Sequence, residues 1–99
     1  MVPAAPNRTV LVARVTEQRP HATVAKWDVL ALEVLASEPV ERYHDMIRAQ
    51  PGQQLEVAID RDWLPAGRDL SGTTVRLAAT VAGPEVVKVA YGEPAVTVV

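Results

Sequence analysis

Three stretches of the chain alternate apolar and polar side chains with a period of two, and this constrains the fold more than any other feature. They are Thr9–Arg19, Gln53–Ile59 and Thr73–Val81. Within the first, alternate residues from Leu11 to Val15 share one face, and β-branched residues dominate the stretch. Such alternation is typical of strands with one face in a core. Strands need partners, so the pattern predicts a mainly β fold.

The decamer KWDVLALEVL, which starts at residue 26, fits two periodicities. Trp27, Leu30 and Val34 recur at helical spacing, whereas Leu30, Leu32 and Val34 also alternate as in a strand. A helix here would lack a polar face, because apolar residues also lie away from the Trp27 stripe. We therefore predict a long strand over Lys26–Ala36, with a bulge that lets apolar residues of both parities face inward.

A hairpin and a terminal strand extend the predicted sheet. Val86–Ala90 follows the turn signal Gly83-Pro84 and is expected to pair with Thr73–Val81. The chain ends in AVTVV. This tail is expected either to form the last strand of its own sheet or to pair with an exposed edge of a neighbour. Both alternatives stay open at this point.

One segment, Glu38–Gln50, has helical spacing. Ser37 precedes it as a candidate N-cap, and a Pro-Gly pair follows it. Val40, Tyr43 and Ile47 recur on one face. We predict one short helix here.

Length and composition indicate a single domain. The 99 residues are 48% hydrophobic, which is ordinary for a globular chain. We expect a barrel over about residues 9–90, with 1–8 and 91–99 as terminal segments. No apolar run approaches the length of a membrane helix, and MVPAAPNR lacks the pattern of a secretory signal. Together with the absence of cysteine, this predicts a cytoplasmic protein that does not enter a membrane.

The strands together resemble an OB-fold. A closed or nearly closed barrel removes the unpaired edges of five or six short strands. The stretches that carry the resemblance are TVLVARVTEQR, KWDVLALEVL, PGQQLEVAID and LSGTTVRLAATVAGPEVVKV. One feature departs from the family, whose helix usually falls between the third and fourth strands, whereas the helix predicted here falls between the second and third. Either the loop Arg61–Ser71 replaces that helix, or the barrel is SH3-like or a small sandwich.

Catalytic and metal motifs are weak. The lack of cysteine excludes thiol nucleophiles and thiolate metal sites. Glu41 and His44 have Glu-x-x-His spacing with Asp45 beside them, but a di-metal site needs a second copy. A solvated surface is the better interpretation of this cluster.

Three further patterns lack the context that their chemistry requires. Ser37 and Ser71 lie in no nucleophile motif, and Gly67–Gly72 lacks the Gly-Lys-Ser/Thr ending of a phosphate loop. Asp60, Asp62 and Asp69 do not have EF-hand spacing. We therefore expect no catalytic residue, metal or cofactor, and no enzyme.

The resemblance implies that the chain binds single-stranded nucleic acid. OB-type barrels combine a positive groove with aromatic side chains on which bases stack. The predicted binding residues are Arg14, Arg19, Lys26, Trp27, Arg61, Trp63 and Arg76. Tyr43 and Tyr91 are the other aromatic residues. Tryptophans are mostly buried, so we expect Trp27 and Trp63 in the core or at the barrel mouth.

Charge favours a second function. The net charge is −2, no basic tail occurs, and Asp60 and Asp62 flank Arg61. Four apolar residues are assigned to outward faces: Val10, Val12, Val29 and Ala31. A homo-oligomer or a larger complex would cover them. The alternative to nucleic acid is therefore a protein assembly or adaptor subunit that uses these faces and the C-terminal strand.

Overall fold

The computed structural model describes residues 6–65, 69–83 and 86–99. Six strands dominate it: β1 Thr9–Pro20, β2 Trp27–Pro39, β3 Gln54–Asp60, β4 Thr74–Gly83, β5 Val86–Val89 and β6 Val96–Val98. A 3₁₀ turn, Arg61–Trp63, follows β3, and these residue ranges contain no α-helix. The prediction of a mainly β fold is confirmed.

The strands close into a barrel of five, in the order β1-β2-β3-β5-β4, with β4 paired back to β1. The β3–β5 pair is parallel and the others are antiparallel, so the sheet is mixed. The sixth strand, β6, adds to β4. This arrangement is consistent with the predicted OB-like small barrel.

The ambiguous decamer is a strand. From Trp27 to Glu33, β2 pairs residue by residue with β3. Leu30, Leu32 and Val34 are fully buried. Two register shifts against β1 leave Thr16 and Leu35 as extra residues. Such bulges bend strands, and closing a barrel needs bent strands.

Contrary to the prediction from the sequence, the bulge in β2 does not turn apolar residues of both alternating sets towards the core. Val29 and Ala31, which have the other parity, stay on the outer surface, and Leu35 itself is 46% exposed. The long strand is therefore confirmed, whereas the expectation that both parities face inward is wrong.

The helix predicted over Glu38–Gln50 is wrong. The segment after β2 is an irregular loop in which Arg42 and Arg48 have positive φ angles, 72° and 50°. A right-handed helix excludes those angles. The Asp45 carboxylate holds the loop by accepting hydrogen bonds from the backbone N–H groups of Ile47 and Arg48. This is a local turn that competes with helix formation.

Ser37 has a different role from the predicted N-cap. Its Oγ donates a hydrogen bond to the Ala49 carbonyl oxygen at 3.1 Å, which ties β2 to the end of the loop. Ala49 is buried, and Ile47 packs against the core. Of the residues that form the predicted helical stripe, Ile47 thus packs against the core, whereas Tyr43 is 40% exposed.

The described residues between β3 and β4 contain a 3₁₀ turn and no α-helix. The 3₁₀ turn begins directly after β3, and Leu64 and Leu70 are buried against the core. That the loop Arg61–Ser71 replaces the OB helix stays a prediction, because residues 66–68 lie outside the described part of the chain. No described residue belongs to a helix of sufficient length and hydropathy to span a membrane.

The chain leaves and rejoins the sheet between β5 and β6. The Ala90 N–H donates to the Ala78 carbonyl oxygen at 2.8 Å, and Val96 then pairs with Leu77, the next residue back along β4. Residues 91–95 therefore project from one continuous edge of β4, and we call them the excursion. The C-terminal tail pairs within its own chain, which settles the open alternative.

Three connections meet at one end of the barrel. Trp27 at the start of β2 lies opposite Asp60 at the end of β3. Because β3 and β5 run parallel, with Ala58 opposite Lys88, the 3₁₀ turn and the excursion lie side by side. We call this region the front end.

Candidate binding pocket at the front end of the barrel

Three of the four aromatic residues form one cluster. Trp27 opens β2, Trp63 ends the 3₁₀ turn and Tyr91 begins the excursion. The ring centroids of Trp27 and Trp63 are 6.5 Å apart at 50°, and those of Trp63 and Tyr91 are 5.7 Å apart at 72°. The second pair is an edge-to-face contact, which aromatic rings prefer over direct stacking. Trp27 and Trp63 are half-buried and Tyr91 is 62% exposed, so the cluster reaches from the barrel to solvent.

A buried carboxylate positions the turn that carries Trp63. The Arg61 Nε donates to Asp28 Oδ1 at 2.7 Å, and Gln18 Nε2 donates to Asp28 Oδ2 at 2.9 Å. Gln18 Oε1 in turn accepts from the Leu70 N–H at 2.8 Å. Burial acts to raise the pKa of Asp28, but the hydrogen bonds from Arg61 and Gln18 outweigh it and lower that pKa. The network joins β1, β2 and the β3–β4 connection.

Backbone contacts complete the position of the turn. The Asp60 carboxylate accepts from the Asp62 N–H at 2.9 Å and so caps the turn. The Arg61 N–H donates to the Lys26 carbonyl oxygen at 2.9 Å. Lys26 has a positive φ of 66°, which ends the β1–β2 connection just before Trp27. Both tryptophans are thereby held at the front end.

A pocket of about 420 Å³ opens beside the cluster. Trp63 and Tyr91 are among its walls, and the buried residues Leu64 and Ala95 also line it. We call it the aromatic pocket. Sequence reasoning missed it, because its two sides come from segments nearly 30 residues apart that no local pattern connects.

The charge of the aromatic pocket is negative. Asp62 and Glu93 line it, and no basic side chain among the described residues does. Tyr91 Oη donates to Glu93 Oε1 at 2.7 Å, and this hydrogen bond raises the pKa of Tyr91. Arg61, which lies next to Asp62 in the chain, is held by Asp28. Aromatic rings next to carboxylates suit an ammonium or guanidinium group.

Three of the arginines predicted to bind phosphate are paired with carboxylates. Arg19 contacts both Glu17 and Glu56. Arg61 contacts Asp28 at 2.7 Å, and Arg76 lies 3.7 Å from Glu38. The contacts of Arg19 with two carboxylates and of Arg61 with Asp28 neutralise charge that a phosphate would need, whereas the long, exposed contact of Arg76 with Glu38 does so only weakly. The pairs are separate from one another, so these three arginines form no continuous positive groove.

The other predicted basic residues, Arg14 and Lys26, are exposed and form no ion pair within the described part of the chain. Arg14 projects from the outer face of β1, beside Thr74 of β4. Arg76 lies on β4 opposite Val12, two register positions from the Arg14–Thr74 pair. The structure therefore separates the predicted set. Lys26, Trp27, Arg61 and Trp63 come together at the front end, whereas Arg14, Arg19 and Arg76 lie on the outer faces of the strands.

The structure also places the weaker motifs of the sequence. Within residues 6–65, 69–83 and 86–99, no group of three metal-ligating side chains comes together. Glu41, His44 and Asp45 therefore do not form such a group. Asp45 accepts from Thr9 Oγ1 at 2.7 Å as well as from its own loop, and these bonds lower its pKa. Tyr43 lies away from the cluster, under the Arg8 guanidinium at 4.8 Å. The glycine loop Gly67–Gly72 lies partly outside the described residues.

A comparison with protein-family models gives no matching family. Searches of curated proteins and of solved structures likewise give no significant match.

Proposed function

We propose that the chain is a non-enzymatic binding module that holds a basic segment of another protein in the aromatic pocket. The observation that carries this proposal is the pairing of two aromatic walls, Trp63 and Tyr91, with two carboxylates, Asp62 and Glu93, around one opening. A lysine or arginine side chain matches both features, because it is attracted to the face of a ring and to a carboxylate.

The size of the pocket fits a side chain with part of its backbone. Binding cavities for small ligands measure roughly 300–1,000 Å³, and this one is about 420 Å³. Hydrogen bonds position both aromatic walls. The contact between Arg61 and Asp28 fixes the turn that carries Trp63, and Glu93 accepts a hydrogen bond from the Tyr91 hydroxyl. A site that needs little ordering loses less free energy on binding.

Single-stranded nucleic acid remains a second candidate ligand. The OB-like barrel favours it by analogy of fold, and the exposed Arg14 and Lys26 could contact phosphate. Against it stand the carboxylates that engage Arg19 and Arg61, and the carboxylates Asp62 and Glu93 that line the pocket. The balance of charge therefore supports a basic protein segment.

Tryptophan fluorescence tests the proposal. The protein is titrated with an acetylated and amidated peptide that contains one lysine among glycines and serines, and with a short oligothymidine, each at two salt concentrations. We expect the peptide to change the emission, since Trp63 lines the pocket. Glu93→Gln should weaken peptide binding about threefold or more, in keeping with the loss of one charged partner.

The matched control is Glu41→Gln. It removes the same charge from an exposed loop position that does not line the pocket, so general attraction to a basic peptide changes equally. Equal weakening by both variants would show that the pocket is not the site. Binding of oligothymidine that falls steeply with salt and depends on Arg14 would instead favour nucleic acid.

A further inference from the structure

A second hollow adjoins the aromatic pocket across the excursion. Its volume is about 170 Å³, and both hollows are lined by Tyr91, Gly92, Pro94 and Ala95. The second is also lined by residues of β1, β4 and β6, and Arg76 is among them. The excursion therefore forms a ridge with one hollow on each side.

The two hollows have opposite charge. Asp62 and Glu93 line the aromatic pocket, whereas Arg76 is the charged residue of the second hollow among the described residues. The contact of Arg76 with Glu38 is long, at 3.7 Å, and the two side chains are 50% and 62% exposed. Exposed pairs of this kind contribute little, so a ligand can recruit Arg76 at small cost.

We propose that the second hollow is an anion subsite, in which Arg76 binds a carboxylate of the same protein segment whose basic side chain enters the aromatic pocket. The inference rests on the proposed function and makes it more specific. The ligand then carries a basic and an acidic residue at a fixed separation. Tyr91 stands between the two subsites, with its hydroxyl held by Glu93.

The neighbouring charges favour a carboxylate in a protein segment over a phosphate in nucleic acid. A phosphate bound to Arg76 would be followed along the strand by further phosphates. Crossing the ridge would bring them towards Asp62 and Glu93, where like charges repel. A protein segment can present one charge of each sign, which complements both hollows.

A peptide series tests this inference. Each acetylated and amidated peptide carries one lysine and one glutamate, separated by none to four glycine or serine residues, and has a partner in which glutamine replaces the glutamate. We expect the glutamate to improve affinity about three- to fivefold at one or two separations and to have no effect at the others. Arg76→Gln should remove that improvement and leave the dependence on lysine unchanged.

Arg14→Gln is the matched control, because Arg14 is also an exposed arginine, lies on the neighbouring strand and does not line the hollow. If glutamate improves affinity at no separation, or if both arginine variants lose the improvement equally, the anion subsite is overturned. A retained dependence on lysine would then still support the proposed function. Absence of any dependence on lysine overturns both. Displacement of the peptide by oligothymidine that requires Arg76 overturns the inference in favour of phosphate.

Discussion

Replacing Asp28 by asparagine should destabilise the barrel more than removal of any exposed carboxylate. The Asp28 side chain is 11% exposed and receives hydrogen bonds from Arg61 and Gln18. Asparagine keeps the shape but removes the charge, and its amide N–H₂ then faces at least one of the two donors. The variant therefore weakens a charge-assisted bond and leaves a buried donor unsatisfied.

The magnitude follows from these two losses. A hydrogen bond to a charged group contributes about 1.5–3 kcal/mol, and the lower end applies because the Arg61 side chain is 47% exposed. An unsatisfied buried polar group adds about 1 kcal/mol. We expect a total loss of about 2–3 kcal/mol in the free energy of unfolding. For a chain of this length, that lowers Tm by roughly 8–20 °C.

Urea unfolding followed by circular dichroism measures the loss, with Glu56→Gln as the matched control. Glu56 also faces an arginine, Arg19, but its side chain is 61% exposed. We expect no measurable change from that variant, since exposed ion pairs contribute little. Equal losses from both variants, or no loss from Asp28→Asn, would refute the conclusion that burial gives the Asp28 contacts their strength.

The difference between wild type and Asp28→Asn should depend on pH. The pKa of Asp28 is lowered from 3.8 in the folded state, so its charged form stabilises the fold above the unfolded pKa. The difference should be complete near neutral pH and should shrink as the pH falls below about 3.8 towards the folded pKa. A difference that stayed constant down to pH 2 would contradict this assignment.

Four further variants test other parts of the structure. Glu93→Gln should lower the pKa of Tyr91 towards 10.0, because it removes the carboxylate that holds the phenolic proton, and ultraviolet titration of tyrosinate would detect the shift. Leu30→Ala should cost about 3 kcal/mol in urea unfolding, since Leu30 is fully buried, whereas Leu35→Ala at the exposed bulge should cost less than about 1 kcal/mol. Asp45→Ala should cost about 1–2 kcal/mol by the same measurement, because it removes the acceptor for the loop N–H groups and for Thr9.

The strands could be predicted because their signal is local. The alternation in Thr9–Arg19 and in Gln53–Ile59 records which side chains face the core, and the structure extends β1 by only one residue, to Pro20. Even the decamer after residue 26 was decided correctly by its neighbours, which need a partner strand. A period of two can be recognised from consecutive residues alone, so its prediction does not require knowledge of the tertiary packing.

The loop after β2 shows where this reasoning fails. Val40, Tyr43 and Ile47 have helical spacing, but spacing states only which residues would share a face if a helix formed. The competing interactions are partly non-local, since Asp45 is held by Thr9, which lies 36 residues away in the sequence. No window that contains the loop alone includes that contact, so a helix and a loop anchored by Asp45 look the same in the sequence.

Only part of the site could be predicted, because its other residues are brought together by non-local contacts. Trp27 and Trp63 were identified by residue type, which the sequence displays directly. Their partner Tyr91 could not be connected to them, because its position depends on β5 and β6 pairing with successive parts of β4 around the excursion. The negative charge of the site could not be predicted from the sequence for a similar reason. Arg61 looked available for phosphate until its contact with Asp28, 33 residues away, was known.

These charge pairings bear on function more than the net charge of −2 does. In a barrel whose arginines are free, the positive potential extends along the outer faces and attracts a polyanion. Here Arg19 faces Glu17 and Glu56, and Arg61 faces Asp28, while Asp62 and Glu93 stand unopposed by any described cation at the aromatic pocket. The electrostatics that remain after pairing are local and change sign across the excursion. If the proposed function is correct, this surface discriminates among ligands by the order of their charges, which a protein segment can encode and a uniform polyanion cannot.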